Sequence, residues 1–355
     1  MGATELIITD RWPKNLVENE IPFLFIYDQV LKKSLEPVIK KFPRGSVALP
    51  VKAGETLKSI KNYSIIVSKI QAASTALGLN KPAIYACGGG SVGDFAGFVA
   101  STFRRGLPLC HIPSTWLSAI DSAHGGKNGL NLNGTKNQIG TFYSADKTLI
   151  VKELLFQQPK ERAVEGLPEL LKVLLCTNVK ITERLLSRRF ESGLLWDFLP
   201  TAIEEKLKVV KRDPLETLGY RRILNFGHTL GHVFEASVPL PHGIAVYFGM
   251  EFAFRWARHN QILDQALQRK LQASPLITSF GEKLKHIKYK AVLKKTAPSV
   301  SQALAQDKKG AGANKLWFIF LKKIAEVEQI KLSLDEVVTE LHRQLNADAP
   351  GVLLP

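Results

Sequence analysis

The sequence is poor in cysteine and has neither a long apolar run nor an excess of acidic residues. Its three cysteines, at positions 87, 110 and 176, are odd in number and far apart, which argues against a disulfide framework. No apolar run approaches the roughly 18 to 20 residues that span a bilayer. The first residues also lack the basic and apolar segments of a signal peptide. We therefore expect a cytoplasmic protein without membrane contact.

The composition is that of an ordinary globular protein with a strong positive charge. Apolar residues make up 45% of the 355 residues and charged residues 23%, which excludes collagen-like, fibrous and wholly disordered chains. Lysine and arginine number 48 against 32 acidic residues, so the formal charge is +16. The lysines are scattered or paired, without a nucleic-acid-binding motif. We therefore expect a solvated basic surface that can steer an anionic substrate, and no nucleic-acid partner.

Strand-like and helix-like stretches alternate in the first half of the chain. Residues 23–27 and 82–87 have the pattern of buried strands, and a helix is predicted over 92–101. This alternation predicts a parallel α/β sheet covered on both faces. Beyond that half, apolar residues recur at helical spacing. The sequence therefore predicts an α/β domain over 1–158 and a mainly α-helical domain over 159–355.

A glycine-rich turn lies between one predicted strand and the helix that follows it. Residues 88–94 read GGGSVGD. Glycines at such a turn let the backbone approach a diphosphate, and the helix N-terminus adds amide donors and positive potential. Because the spacing differs from GxGxxG, a dinucleotide site and a plain tight turn both remain open from the spacing alone.

Three histidines fall within fifteen residues of the second half. His228 and His232 are four positions apart and share one face of a helix, and His242 can join them after one short loop. Two or three neutral imidazoles with a carboxylate make a zinc site with an open position. The alternative is a set of exposed or capping histidines. Spacing does not choose the carboxylate among three candidates, Glu169, Glu235 and Glu251.

Two further segments are polar and could bind anions, and a third segment forms the chain end. Residues 121–131 and the pair Lys136–Asn137 form glycine-rich polar turns with lysines, which bind anionic groups well but also occur on ordinary surfaces. Residues 307–310 (DKKG) are, taken alone, a charged turn. The chain end, from Asp348 onwards, is expected to fray.

Taken together and in this order, these segments resemble 3-dehydroquinate synthase, a family of sugar phosphate cyclases. The resemblance extends from about residue 28 to residue 321, and its most specific part is LNFGHTLGH at 224–232. Further matching segments are 53–58, 88–100, 103–106, 112–115, 121–131, 136–140, 169–172, 221–223, 242–243 and 307–309.

The resemblance implies a Rossmann-like N-terminal domain that binds NAD, a helical C-terminal domain that binds a divalent metal, and an active site in the cleft between them. Zinc is the metal expected first, with cobalt as the second choice. The implied metal ligands are Glu169, His228 and His242. The implied NAD contacts are Asp28, Glu55, Lys58, Gly89, Gly90, Ser91, Val92, Gly93, Asp94, Ser114, Thr115, Lys127 and Lys136.

The resemblance also implies an anionic sugar-phosphate substrate surrounded by cations. Arg105 occupies the position that, in this family, reaches across from the partner subunit of a homodimer. His232 matches the family's proton-transfer histidine, and Glu216 its acid. The implied catalytic residues are His232, Glu216, Lys172, Arg221 and Asn225. The implied substrate-binding residues are Arg105, Asp121, Lys127, Asn137, Lys206, Lys308 and Lys309.

The implied reaction converts 3-deoxy-D-arabino-heptulosonate 7-phosphate to 3-dehydroquinate and phosphate, in the shikimate pathway. A secondary alcohol is oxidised transiently by NAD, with the metal as Lewis acid. Phosphate then leaves by β-elimination and the ketone is reduced again. Ring opening and an intramolecular aldol closure complete the carbocycle.

Some positions depart from the family's pattern and keep other functions open. Val151, Pro214 and Ile244 stand where acids are usual, and one residue is inserted between Glu216 and Arg221. One alternative is a related cyclase acting on glucose 6-phosphate, similar to 2-deoxy-scyllo-inosose synthase. Others are a glycerol dehydrogenase-like alcohol dehydrogenase and a basic nucleic-acid-binding protein. The dehydrogenase is disfavoured by four retained residues, Lys172, Lys206, Arg221 and Asn225.

Overall fold

A computed structural model describes most of the chain, as two compact units. The described residues are 4–14, 21–300, 315–347 and 349–354. The units are Met1–Arg162 and Ala163–Pro355. The division expected from the sequence, after residue 158, falls four residues earlier (162 − 158 = 4). Lys308 and Lys309, expected at the substrate site, lie outside the described residues.

A six-stranded sheet forms the centre of the first unit, and each of its described pairings is parallel. The strand order is β1-β8-β5-β4-β2-β3. The strands are β1 (Glu5–Thr9), β2 (Leu24–Asp28), β3 (Val47–Val51), β4 (Ile84–Gly88), β5 (Leu109–Pro113) and β8 (Lys147–Val151). The predicted parallel α/β domain is confirmed.

Both faces of this sheet are buried, which explains the continuous apolar run in β2. Leu24 and Ile26 pack into the cluster on one face, whereas Phe25 and Tyr27 pack into the other. Successive strand residues point to opposite faces, so a strand covered on both sides needs apolar residues throughout. The covering helices are α1 (Lys32–Ile39), α2 (Ile60–Ala76), α3 (Gly90–Thr102), α4 (Trp116–Ile120) and α5 (Lys152–Leu155). A separate antiparallel hairpin consists of β6 (Lys127–Leu132) and β7 (Thr135–Phe142).

The second unit is mainly helical, as predicted. Its one described sheet is the antiparallel hairpin of β9 (Lys315–Lys323) and β10 (Glu326–Ser333). Its helices are α6 (Arg162–Thr177), α7 (Val179–Leu186), α8 (Leu194–Arg212), α9 (His228–Ser237), α10 (His242–His259), α11 (Gln265–Gln272), α12 (Pro275–Leu284), α13 (Tyr289–Thr296) and α14 (Leu334–Asn346).

The chain end packs into the second unit, so the expectation of fraying is wrong for residues 349–354. Val352 and Leu353 are buried. Their backbone amides donate hydrogen bonds to the carboxylate of Glu251 on α10. A terminal segment is ordered when its apolar side chains and backbone groups find partners, and both conditions hold here.

The structure bears on two further expectations from the sequence, which concern membrane-spanning helices and disulfides. No helix in the described ranges is both long and apolar enough to cross a membrane. All three cysteines are free and buried. The expectation that no disulfide framework exists is therefore confirmed.

Candidate active site

Two glycines of the LNFGHTLGH segment allow α9 and α10 to lie in close contact. Gly227 has a φ of +79°, and a Cβ there would lie 2.6 Å from the carbonyl oxygen of Val246. A Cβ on Gly231 would lie 3.2 Å from the carbonyl oxygen of Ala245. Because side chains at these positions would push the helices apart, the glycines are needed to bring the histidine at the start of each helix together.

Glu169, His228 and His242 form the cluster expected of a metal site. Nε2 of His228 lies 3.3 Å from Oε1 of Glu169, and Nε2 of His242 lies 3.7 Å from the same oxygen. One ligand atom from each residue lies within 4.8 Å of the others. Of the three carboxylates left open by the sequence, Glu169 is therefore the one in the cluster.

Glu169 needs a positive partner, because its side chain is completely buried on α6. The ammonium of Lys172, one turn further on, forms an ion pair with it and is itself 1% exposed. Burial raises the pKa of Glu169, but Lys172 and the two histidines outweigh this and hold the pKa well below its ordinary value. The carboxylate is therefore ionised and available as a ligand.

The cluster fits a divalent metal. Among the described residues, neither oxygen of Glu169 receives a hydrogen bond of good geometry. Lys172 balances the charge of this carboxylate, but oxygens without hydrogen bonds are costly to bury, and coordination to a metal would satisfy them. One carboxylate with two imidazoles is a ligand set that zinc accepts while keeping a position open for substrate.

The two histidines of the cluster differ in their surroundings. Burial, followed by the charge of Lys172, keeps the pKa of His228 well below its ordinary value, so this ring is neutral. Burial also lowers the pKa of His242, but its contacts with Glu169 and Glu235 raise it to about 10. Without a metal, the His242 ring is therefore protonated and positively charged at neutral pH. It lies between the carboxylates of Glu169 and Glu235.

Asp213 shapes the loop that leads to Arg221, a role that the sequence analysis missed. The buried Asp213 carboxylate accepts hydrogen bonds of 3.1 Å from the backbone amides of Leu218 and Arg221. Burial would raise its pKa, but these and neighbouring amides lower it below the ordinary value. The Arg221 guanidinium in turn donates to the carbonyl oxygen of Pro214 at 3.1 Å. The loop thus holds a buried arginine in place.

Glu216 contacts Asn225, although the resemblance predicts an inserted residue between Glu216 and Arg221. Glu216 takes a left-handed conformation with a φ of +57°, and Gly219 follows with +81°. The Glu216 Oε1 atom accepts a hydrogen bond of 3.3 Å from Nδ2 of Asn225. The backbone of this loop thus places Glu216 beside Asn225.

The remaining expected residues of the second unit lie on its helices. His232 lies on α9, with its ring centre 5.5 Å from that of His228, and it is exposed. Lys206 is buried on α8. The structure thus places His232 beside the cluster formed by Glu169, His228 and His242.

Three of the expected NAD contacts of the first unit lie at one edge of the central sheet. Asp28 ends β2, Gly89 follows β4 and Ser114 follows β5, and these three strands are neighbours. Cofactors of open α/β sheets bind beyond the carboxyl ends of the strands. Gly89 caps the N-terminus of α3, and a Cβ on Gly90 would lie 3.2 Å from Oγ of Ser122. The edge is suited to a diphosphate.

Hydrogen bonds connect several of these expected residues. The buried Lys58 ammonium donates to Asp94 at 2.7 Å and also to Asn137. Burial raises the pKa of Asp94, and Lys58 partly offsets the rise. Ser91 Oγ accepts from the backbone amide of Gly54, the residue before Glu55. Lys58 thus connects the first turns of α3 to the β6–β7 hairpin.

Other expected residues have clear positions in the first unit. The side chain of Val92 is fully buried, so only its backbone can approach a ligand. Thr115 caps α4. Arg105 has a φ of +62°, between Arg104 at +47° and Gly106 at +113°. Three more residues lie after α4 or in the β6–β7 hairpin, namely Asp121, Lys127 and Lys136.

Solved structures show which fold this chain shares. A 2-epi-5-epi-valiolone synthase from Streptomyces hygroscopicus subsp. jinggangensis 5008, with NAD+ and Zn2+ bound, has a TM-score of 0.76 and 22% identity, with 97% of each chain covered. A 2-deoxy-scyllo-inosose synthase, complexed with carbaglucose-6-phosphate, NAD+ and Co2+, has a TM-score of 0.73 and 23% identity, covering 95% of this chain and 96% of that one. At these identities the likeness establishes the fold, which is that of the sugar phosphate cyclases.

Sequence comparison identifies the family within this class. The model for the N-terminal part of 3-dehydroquinate synthase matches residues 48–165, and the model for its C-terminal part matches 166–310. The 3-dehydroquinate synthase of Alkaliphilus metalliredigens is 30% identical over 333 residues, which cover 91% of this chain and 90% of the relative. The chain belongs to the 3-dehydroquinate synthase family. The enzyme class and family predicted from the sequence are confirmed.

More similar relatives match over shorter segments. The enzyme of Pelagibacter ubique is 38% identical over 266 residues, or 71% of each chain. That of Saccharolobus solfataricus is 37% identical over 228 residues, which cover 62% of this chain and 63% of the relative. Both are named 3-dehydroquinate synthase.

Proposed function

We propose that this chain converts 3-deoxy-D-arabino-heptulosonate 7-phosphate into 3-dehydroquinate and phosphate. Membership of the 3-dehydroquinate synthase family supports this reaction. The observation that carries the proposal is the cluster of Glu169, His228 and His242, which presents a ligand set for a catalytic metal in this family's fold.

Two bound groups would supply the reactive chemistry. NAD would oxidise an alcohol of the substrate reversibly, and a divalent metal would act as the Lewis acid that polarises the oxygen of that alcohol. NAD+ with Zn2+ or Co2+ in the related cyclase structures supports this cofactor set. The metal would be held by Glu169, His228 and His242. NAD would be held by the turn at 89–94, with Asp28, Glu55, Lys58, Ser114, Thr115, Lys127 and Lys136.

Buried cations of the second unit would bind the substrate's anionic groups. Arg221 is held by the Asp213 loop, and a positioned guanidinium can bind a carboxylate or phosphate through two parallel hydrogen bonds. Lys172 and Lys206 are buried as well. Fixed cations favour phosphate departure, because they stabilise the charge that develops on the leaving group.

His232 is suited to proton transfer. It lies one helical turn beyond His228, next to the metal cluster, and it is exposed. It can therefore exchange protons with solvent while facing a bound substrate. Glu216 would orient Asn225 through their hydrogen bond. Asp121, Asn137, Lys308 and Lys309 complete the proposed substrate contacts.

A homodimer in the cytoplasm is the proposed setting. Arg105 is exposed and follows another residue with a positive φ, a costly backbone conformation that is retained where it directs a side chain. It would enter the site of the partner subunit. Three free cysteines are in keeping with a reducing compartment.

The proposed function is tested by phosphate release from purified protein with NAD and zinc. The seven-carbon keto-acid phosphate and glucose 6-phosphate would be supplied in parallel, while the absorbance of NADH is followed. We expect phosphate from the first substrate without accumulating NADH. Release from glucose 6-phosphate alone would assign the chain to a cyclitol-forming reaction, and net NADH formation would indicate a dehydrogenase.

A further inference from the structure

His242 lies between two carboxylates that contact different nitrogens of its ring. Nδ1 is 2.9 Å from Oε2 of Glu235, and Nε2 is 3.7 Å from Oε1 of Glu169. With a proton on Nδ1, the ring donates to Glu235, and the lone pair of Nε2 is directed at the metal cluster. Glu235 thus selects the tautomer that a metal ligand at Nε2 requires.

His228, the other imidazole of the cluster, is fixed in a different way. Its Nδ1 lies 3.4 Å from the carbonyl oxygen of Phe226, a long contact with a neutral acceptor. Its backbone follows Gly227, whose close packing against α10 leaves little freedom. The side chain of His228 is 14% exposed, against 29% for His242. His242, the more exposed of the two rings, is therefore the one whose Nδ1 contacts a carboxylate, that of Glu235.

The peptide chain sets the distance between Glu235 and His242. Glu235 lies in the last turns of α9, and His242 is the first residue of α10. A Cβ on Gly243 would lie 1.9 Å from the carbonyl oxygen of Glu165, so the start of α10 is packed tightly against α6. The backbone on either side of the connection is thus anchored, which keeps the two side chains in contact.

We infer that Glu235 is a positioning residue that holds His242 in the orientation and tautomer for metal binding. This inference rests on the proposed metal site. Glu235 contacts the ring nitrogen that faces away from the cluster, so it cannot bind the same ion as Nε2. A carboxylate behind a ligating imidazole also increases the donor strength of the imidazole, and its loss typically weakens metal binding by about 10- to 100-fold.

The test compares metal affinity in full-length Glu235→Ala, Glu235→Gln and wild-type protein. The matched control is Glu282→Gln, a change of an exposed acid on α12. Zinc dissociation constants would be measured by competition with a chelator, and Co2+ would report ligand geometry through its visible absorption. We expect roughly 10- to 100-fold weaker zinc binding for Glu235→Ala, with an altered Co2+ spectrum. Glu235→Gln keeps an acceptor oxygen and should recover much of the affinity.

The readouts separate this inference from the metal site on which it rests. Loss of zinc binding in His228→Ala, together with weakened binding in Glu235→Ala, supports both. Loss in His228→Ala with wild-type affinity and an unchanged Co2+ spectrum in both Glu235 variants overturns the role of Glu235 alone. Wild-type affinity in His228→Ala overturns the metal site and the inference with it. Should Glu235→Ala fail to fold, Glu235→Leu takes its place, because leucine fills similar space without an acceptor for the ring. An unchanged affinity and spectrum in that variant would overturn the inference.

Discussion

The Glu251 carboxylate accepts a hydrogen bond of 2.7 Å from the backbone amide of Leu353, a residue 102 positions later in the chain. The amide of Val352 donates to the same carboxylate, and Arg255 forms an ion pair with it. Glu251 lies on α10, the helix that begins with His242, a residue of the candidate metal site. The chain end is therefore attached to the helix that carries part of the candidate metal site.

Replacing Glu251 with Gln should lower the stability of the second unit. The change leaves the buried Arg255 without its charge partner and disturbs the contacts with the chain end, so a loss of about 3–5 kcal/mol in unfolding free energy is expected. Thermal and urea unfolding would measure it, with the exposed Glu191→Gln as control. Equal unfolding midpoints for both variants would mean that the charge of Glu251 does not stabilise this unit.

Replacing Arg221 with Ala should raise the KM for the sugar phosphate far more than the KM for NAD. A hydrogen-bonded charge contact contributes about 1.5–3 kcal/mol, which corresponds to roughly 10- to 100-fold in affinity. Steady-state kinetics with each substrate varied in turn would test this, with the exposed Arg189→Ala as control. Similar increases in both constants would remove Arg221 from the substrate site.

Asp213 should make the protein sensitive to acid. Its folded-state pKa is lower than the ordinary value of 3.8, so the unfolded state binds more protons as the pH falls below that value. Its contribution to stability is therefore complete above this pH and is lost below it. Asp213→Asn should be less stable at neutral pH and should show a shallower loss of stability in acid. An acid profile parallel to that of wild type would contradict this role.

Mixing two inactive variants should restore activity if Arg105 acts across a dimer. Arg105→Ala lacks the arginine proposed to enter the partner's site, and His228→Ala lacks a proposed metal ligand of its own site. A mixed dimer has one site with both groups intact, so random exchange of subunits should give about a quarter of wild-type activity. The activity of co-expressed and co-purified variants would be measured. No recovery in verified mixed dimers would place Arg105 in its own subunit's site or outside any site.

The sequence predicted most of the fold, because its local patterns match the packing. The run at 23–27 is apolar because both faces of the sheet are covered, and the glycines before His228 and His232 permit close helix contact. The chain end was predicted wrongly. Its order depends on Glu251, more than a hundred residues away, and a local pattern carries no signal for such a contact.

The candidate site was predictable in part. Four-residue spacing related His228 to His232, but it could not select Glu169, because α6 is distant in sequence and approaches only through packing. Glu235 was considered as a ligand, yet its place behind His242 depends on the turn between α9 and α10. The role of Asp213 could not be predicted from the sequence. Its partners are backbone amides, which every residue except proline provides, so no residue type marks the contact.

The most direct test of the whole account is to identify the carbocyclic product. Purified protein, loaded with zinc and a catalytic amount of NAD, would be incubated with 3-deoxy-D-arabino-heptulosonate 7-phosphate, and 3-dehydroquinate and phosphate would be quantified together. We predict equal amounts of both, in large excess over the NAD supplied, and neither with His228→Ala. Phosphate without 3-dehydroquinate, or product limited by the amount of NAD, would contradict a cyclase that regenerates its cofactor in each turnover.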